Sequence, residues 1–397
     1  MAAIITEKFR THSAKQFIED FGESASSTYM FIGKSFPWTD DTAPPSPANS
    51  VSEEMDAYSD MVAMKKVSNS DVSHALTRRN WDTTQNTIYD QYDHEISASS
   101  TSNASSSSNL YDSSFYVITD EYNVYKCIRT GMDENGVLKK STVKPTGTSS
   151  TTLVATSDTG TATGRGYLWK YMYTVSAADT IKFTTSDFMP VKTIGAKTQL
   201  GGVSDDGSSQ WNVESDAIDG GILHVKVVSG GAGYTQGDYT SVAIVGDGSS
   251  AACTVHVNSS GAVSHVTVTN NGTAYRRASI LVDSISGIGT PSTSAVVTPI
   301  ISPLYGHGAN PVEELGGNLV MVNSRLEFAE GSGDFPTDND FRRIGLIQDP
   351  FSSGTTVATD ANYAAYHKMT LSSVTGLSVD DIIRDANADG AGVAVSR

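Results

Sequence analysis

Apolar residues in this chain fall mostly in short runs, separated by Gly, Ser, Thr, Asn and Asp, and helical spacing is confined to a few places. The densest aromatic run is Gly166-Tyr-Leu-Trp-Lys-Tyr-Met-Tyr-Thr-Val175. Its residue types suit a pleated, half-buried strand. Alternation puts Tyr167, Trp169, Tyr171 and Tyr173 on one face and Leu168, Lys170, Met172 and Thr174 on the other. Bulk on both faces predicts a central strand covered on both sides. Residues 28–33 predict a second buried strand. Phe115-Tyr-Val-Ile118 and Val124-Tyr-Lys-Cys-Ile128 flank a turn-rich connection and predict a hairpin. Residues 319–322 and 341–347 read as strands, the second ended by Asp349-Pro350.

Four helices are predicted from caps and spacing. Ser13 caps one carrying Ala14, Phe17, Ile18 and Phe21. Ser50 with Glu53 forms a capping box for another, with Val51, Met55, Tyr58 and Val62 on one side. Ser176 caps residues 177–183. Asn310, with Pro311 in the first turn, caps a helix closed by Gly316 and Gly317. Pro44, Pro45 and Pro47 mark a loop. Asp133-Glu-Asn-Gly136 marks a turn. Residues 97–109 are nearly all Ser, Ala, Thr and Asn, too polar to offset their ordering entropy, and predict a mobile loop.

A repeat follows. At a constant offset of 41, His224 matches His265, Val225 matches Val266, Val227 matches Val268, Gly231 matches Gly272 and Tyr234 matches Tyr275. Ile244, Gly246, Gly248 and Val255 then match Ile285, Gly287, Gly289 and Val296. Each unit reads as strand, Gly-rich turn ending in Tyr, strand, Gly-x-Gly turn, strand, which suggests duplication. Residues 201–209 and 299–303 look like its hinges. The fold expected is mainly β, a multi-domain β-sandwich-like architecture with a few short helices and an inserted tandem-repeat β-domain. Residues 1–200 and 301–350 would form the main β-domain with the N-terminal helices, and 220–300 the insert. Residues 351–397 would be a C-terminal β module whose last strand is cut into by the chain end at Arg397, leaving open whether the native chain continues.

Composition narrows the function. The chain has 397 residues and a formal net charge of −17, which disfavours nonspecific binding to nucleic acid or anionic membrane. No run reaches the ~18–20 apolar residues of a membrane helix. The N-terminus lacks the plan of a signal peptide. Cys127 and Cys253 are far apart and without a partner motif, a reduced-compartment pattern that points to synthesis and assembly in a cytoplasm.

Candidate chemistry is sparse. Asp385-Ala-Asn-Ala-Asp389-Gly390 opens like a calcium loop, but Ser396 stands where the loop needs Glu. Asp334, Asp338 and Asp340 gather around Phe335-Pro336 and read as solvated loop charge. His224 and His265 read as strand residues, and His307, between Gly306 and Gly308, as a packing or capping residue. Gly306-x-Gly308 is followed by Pro311, which rules out a dinucleotide fingerprint. No phosphate loop or nucleophile elbow occurs. Hence no catalytic, cofactor or metal residues are expected. Arg78, Arg79 and Trp81 form a basic-aromatic spot, and Arg342 with Arg343 forms another. On an acidic chain the first three are the candidate partner interface.

Several blocks occur in order. They are Ala3-Ile-Ile-Thr-Glu-Lys-Phe-Arg10, Ser27-Thr-Tyr-Met-Phe-Ile-Gly33, Phe115-Tyr-Val-Ile-Thr-Asp-Glu-Tyr-Asn-Val-Tyr-Lys126 and Lys144-Pro-Thr-Gly147. Tyr167-Leu-Trp-Lys-Tyr-Met-Tyr173, Phe188-Met-Pro-Val191, Gly306-His-Gly-Ala-Asn-Pro-Val-Glu-Glu-Leu-Gly316 and Phe341-Arg-Arg-Ile-Gly345 continue them. Across residues 1–200 and 301–350 the chain resembles the dimeric baseplate wedge subunit of T-even-like contractile-tailed bacteriophages, in the form carried by cyanophages. The resemblance implies an all-β homodimer that joins other wedge proteins in the virion baseplate, supports the change that triggers sheath contraction, and has no catalytic residues or cofactors. The 220–300 repeat and the tail after 350 depart from the compact form of that family. The rival expectations are an adhesin module binding host glycans and a phage depolymerase.

Overall fold

The computed structural model describes residues 5–23, 26–82, 84, 87–97, 103–326, 340–353, 356–357 and 375–376. In chain order the elements are α1 (Glu7–Asp20), β1 (Thr28–Gly33), α2 (Val51–Ser59), β2 (Met61–Lys66), β3 (Val72–Thr77), β4 (Tyr116–Ile118), β5 (Asn123–Arg129), β6 (Val154–Ala155), β7 (Leu168–Thr174) and α3 (Ala177–Phe183). There follow β8 (Phe188–Val191), α4 (Ser209–Asp216), β9 (Ile222–Ser229), β10 (Gly237–Ala243), β11 (Val245–Gly246), β12 (Ala252–Val257), β13 (Val263–Asn270), β14 (Ala278–Ser279) and β15 (Val296–Ile301). The last are α5 (Pro311–Leu315), β16 (Leu319–Val322), β17 (Arg343–Gln348), β18 (Phe351–Ser353) and β19 (Thr356–Val357). The fold is mainly β, in several separate sheets. Two compact units divide the chain: Met1–Ser26 with Val67–Arg325, and Ser27–Lys66 with Leu326–Arg397.

In the larger unit, four strands pair in the order β4-β5-β7-β6. β4 and β5 form the predicted hairpin, and β7 lies inside the sheet. Its two faces carry separate cores. Tyr89, Tyr125, Trp169, Tyr171 and Val213 fill one. Phe115, Ile118, Met172, Tyr173, Met189 and Leu315 belong to the other. This corrects the predicted alternation. Val124 pairs with Tyr173 while Tyr125 pairs with Tyr171, so Met172 is an extra residue in the ladder. A bulge of this kind shifts every later side chain to the opposite face, and it moves Tyr173 away from Trp169 and Tyr171.

Residues 222–301 hold a third core, with Val225, Cys253, Val255, Val266 and Ile288 inside it. The pairing crosses between the two copies of the repeat. β9 pairs with β15, and β13, at the equivalent place 41 residues on, pairs with β12. Gly231 and Gly272 have φ of 62° and 61°, a left-handed conformation open to glycine at little cost. Tyr234 and Tyr275 are both buried, and each hydroxyl accepts from a backbone N–H, Ala295 at 2.7 Å and Ala251 at 3.3 Å.

Several local expectations need correction. α1 begins at Glu7, not beyond Ser13, because the Thr6 side chain accepts from the Phe9 N–H and caps it. Ser50 does accept from the Glu53 N–H, but the Glu53 carboxylate turns to Arg343, 3.5 Å away, and does not close the box. α2 stops at Ser59, so Val62 lies on β2. The 299–303 hinge is partly strand, since Pro299 to Ile301 pair with β9. α4, capped by Ser208, was not foreseen in the Gly/Ser/Asp-rich stretch that contains it. Of the predicted mobile loop, residues 98–102 lie outside the described residues. Residues 103–109 are anchored, with the Ala104 and Ser105 N–H groups donating to Asp90 at 2.6 and 3.2 Å.

Candidate functional site

The β5–β7 register sets Lys126 and Lys170 directly opposite each other. Both are buried. Two ammonium groups on one face repel, so each needs its own partner. Lys126 finds three. Its Nζ contacts Glu314 Oε1, donates to His307 Nδ1 at 2.5 Å, and lies 4.4 Å from the Tyr92 ring centroid. The other Glu314 oxygen accepts from the Gly308 N–H at 2.7 Å, and His307 meets Tyr92 edge-on at 5.1 Å. Lys170 donates to the Ser150 carbonyl at 2.7 Å.

Local sequence explains why the partners arrive there. Asn310 accepts from the Glu313 N–H at 3.3 Å and starts α5. Gly316, with φ of 79°, ends it in the left-handed conformation that carbonyl capping needs. The single helical turn between them aims Glu314 at the sheet. Where Nδ1 accepts from the Lys126 ammonium, His307 is the neutral imidazole protonated at Nε2, and the same Nδ1 lies 3.3 Å from Glu314 Oε1. Burial, then the charge of Lys126, holds its pKa well below the usual value. Burial also pushes the Lys126 ammonium down, with Lys170 adding to it. Burial lowers Lys170 to about 8, opposed by Asp216. Cavities of about 80 and 320 Å³ flank this seam, one touching Lys170 and His307, the other Tyr92 and Glu314.

A second buried carboxylate acts in the same way. Glu214 on α4 accepts from the Ile194, Gly195 and Ala196 N–H groups at 2.9, 2.8 and 3.2 Å, tying the segment after β8 to α4. These groups hold backbone in place. The one Ser–His contact in the repeat region, Ser264 Oγ to His265 Nδ1 at 3.0 Å, is not a nucleophile pair. Ser264 donates to the His256 carbonyl, and the His265 ring lies stacked on His256 with centroids 4.0 Å apart. Both cysteines are buried, and burial raises the Cys253 thiol to about 11. No group of three or more metal-ligating side chains occurs among the described residues.

Each residue of the sequence-predicted spot has local partners of its own. Arg78 donates to Asn80 Oδ1 and to the Thr185 carbonyl, both at 2.8 Å. The Arg79 guanidinium sits 4.7 Å from the Tyr116 ring centroid and donates to the Tyr111 and Asp112 carbonyls. Trp81 Nε1 donates to Ser141 Oγ at 3.1 Å. All three are half-buried. Arg342 and Arg343 are taken up by Asp41 and Asp60. Asp340 pairs with Arg342 at 3.3 Å, while Asp334, Asp338 and the 385–390 motif lie outside the described residues. Lys126, Lys170, Glu214 and Glu314 were missed. The available signal was a lysine flanked by aromatic or apolar residues in each of two buried strands, Tyr-Lys-Cys and Trp-Lys-Tyr.

His224 is buried and held neutral. Burial, reinforced by Arg129 and Lys226, lowers its pKa to about 3. The unfolded chain takes up this proton near the ordinary value of 6.5, well before the folded chain does. Stability from neutral His224 is therefore whole above pH 6.5 and is lost as pH falls toward 3, at up to about 1.4 kcal/mol per pH unit inside the window. Urea midpoints in phosphate-free buffer should fall between pH 7 and 5, and less steeply in His224→Asn. Equal slopes would remove His224 from this account.

Covered sheets pinned by buried ion pairs are what the geometry of this seam shows. The family described as Phage-Gp8, bacteriophage T4 Gp8, matches residues 3–196, just under half of the chain. That match supports a T4-like phage baseplate wedge protein. A comparison with curated proteins gives no match.

Proposed function

We propose that this chain is a structural component of the phage tail baseplate wedge, that it acts as a homodimer, and that it links neighbouring wedge subunits. The match of residues 3–196 to the Gp8 family is the observation that carries the reading. The family is structural, and its partners are other baseplate proteins. In this reading the protein is of the cyanophage type, is assembled in the host cytoplasm, and works mechanically. Stiff sheets transmit load, and a shift at their interfaces permits sheath contraction. Catalysis has no part in it.

Residues 1–200 and 301–350 are the wedge body in this proposal, 220–300 is an inserted domain made by duplication, and 351–397 is a separate C-terminal module. Exposed apolar side chains support a role in assembly. Phe9 and Phe17 project from α1, and Ile344 and Leu346 from the outer face of β17. Arg78, Arg79 and Trp81 are proposed as a partner-facing strip, with Arg78 the cleanest to test because Arg79 also packs on Tyr116.

The purified chain is expected to sediment as a dimer and to co-sediment with wedge proteins of its own phage. Ile344→Asp combined with Leu346→Asp should reduce co-sedimentation at least about tenfold, as expected when a central apolar contact is lost. A monomer that ignores wedge proteins and binds host glycan instead would replace this reading with the adhesin one.

A further inference from the structure

A cavity of about 50 Å³ lies in the larger unit where β9 and β13 approach Gln91 and the end of β5. Val225, Val227 and Val266 give it apolar walls, and its polar residues are predominantly cationic or neutral donors. Arg129 donates through Nε and Nη2 to the Gly166 carbonyl, at 3.0 and 2.8 Å. Arg165 donates through Nη1 to the Asp133 and Glu134 carbonyls and through Nε to His265. Among the described residues Nη1 of Arg129 and Nη2 of Arg165 make no hydrogen bond and neither arginine has a carboxylate ion-pair partner, although the charges of Glu134 and Asp133 act on Arg165 from further off. The cavity's third cation, Lys226, is neutralised by Asp93.

Gln91 decides what the cavity is for. It is 1% exposed, and neither its amide oxygen nor its amide nitrogen has a hydrogen-bond partner among the described residues. Buried amides are almost always paired, so an orphan of both kinds beside two under-used guanidinium groups points to a missing ligand. The neutral His224 ring, also lining the cavity, makes no hydrogen bond among the described residues and has one donor and one acceptor to offer.

We propose that this cavity binds a small tetrahedral oxyanion of the hydrogenphosphate class. The two guanidinium groups, each with an unused N–H pair, favour an anion over a cation or a neutral apolar ligand. The amide requires a ligand with both an acceptor for its NH₂ and a donor for its oxygen. Hydrogenphosphate carries both, since one of its oxygens is a P–OH at neutral pH. Sulfate and carboxylates carry acceptors only and would leave the Gln91 oxygen unpaired. A cavity of about 50 Å³ suits one such ion or a few waters, as a single water needs roughly 10–15 Å³ on this measure. Bound there, the ion would join Gln91 and β5 to the repeat strands β9 and β13.

Calorimetric titration of the full chain with inorganic phosphate, sulfate and acetate, at matched ionic strength and pH 7.5, tests this. Phosphate should bind, and sulfate and acetate at least about tenfold more weakly, the loss expected for one hydrogen bond to a charged ligand. Gln91→Leu should abolish the preference of phosphate over sulfate. Arg165→Gln should weaken both anions, and it serves if Gln91→Leu does not fold. Absence of phosphate binding, sulfate binding as tightly as phosphate, or an unchanged preference in folded Gln91→Leu would each overturn the proposal. The wedge reading does not depend on the outcome.

Discussion

Replacing Glu314 by alanine is expected to lower the free energy of unfolding by about 3–5 kcal/mol, because it leaves a buried charge without its counter-ion. The Lys126 ammonium is fully covered and touches Glu314 Oε1. The Gly308 N–H would lose its acceptor in the same step. His307 cannot take over, since its neutral ring offers a single lone pair that Lys126 already uses. The informative comparison is the double variant Lys126→Met with Glu314→Leu. Removing both charges removes the uncompensated one, so the pair should recover a large part of the loss. Guanidinium unfolding followed by near-ultraviolet circular dichroism measures all three. A single-variant loss below about 1 kcal/mol, or a double variant no better than Glu314→Ala, would show that the seam does not hold α5 to the sheet.

Trp169→Ala carries the second large effect, about 3–5 kcal/mol, from the cavity it would leave between the sheet and its cover. Trp169 is fully buried, stacks on Tyr167 with centroids 5.3 Å apart, and meets Tyr89 edge-on at 5.6 Å. Its indole Nε1 is buried without a hydrogen-bond partner. Phenylalanine would retain most of the packing and remove that orphan donor. Trp169→Phe should thus cost less than about 1.5 kcal/mol, and thermal melting of both variants provides the contrast. If the two variants lost equal stability, the indole would owe its place to something other than packing.

The buried lysines show where reading the chain alone reaches its limit. Strand propensity and hairpin spacing located β4, β5 and β7 to within a residue or two, because those signals are local. The same alternation placed Lys170 on a face with Met172, where it does lie near the second core, but gave no reason for a charge there. Lys170 is received by the Ser150 carbonyl, and Lys126, opposite it, by His307 and Glu314, 181 and 188 residues further along the chain. Met172 is a similar case. A bulge depends on how two strands meet, and nothing in Tyr-Met-Tyr marks the residue that will be squeezed out of register.

Caps and turns were legible from sequence because each works within four residues. Ser50, Ser176, Asn310 and Gly316 act where their neighbours said they would. The start of α1 was misplaced because Thr6 and Ser13 are both competent caps, and the choice depends on which turn the rest of the helix can bury. α4 was invisible because its stability comes from Glu214 gathering three backbone N–H groups of a distant segment.

By itself the sequence determined the β-rich character, the strand and cap positions, the 41-residue repeat and the match of residues 3–196 to the Gp8 family, since these rest on local propensity, periodicity and order of blocks. Tertiary structure alone decided that the repeat strands pair across copies, that the Arg79 guanidinium lies against the Tyr116 ring, that two lysines share one face, and that Gln91 finds no hydrogen-bond partner among the described residues. Those outcomes depend on which distant groups come within about 3 Å of each other, and hydrogen bonds and ion pairs lose their meaning beyond that range.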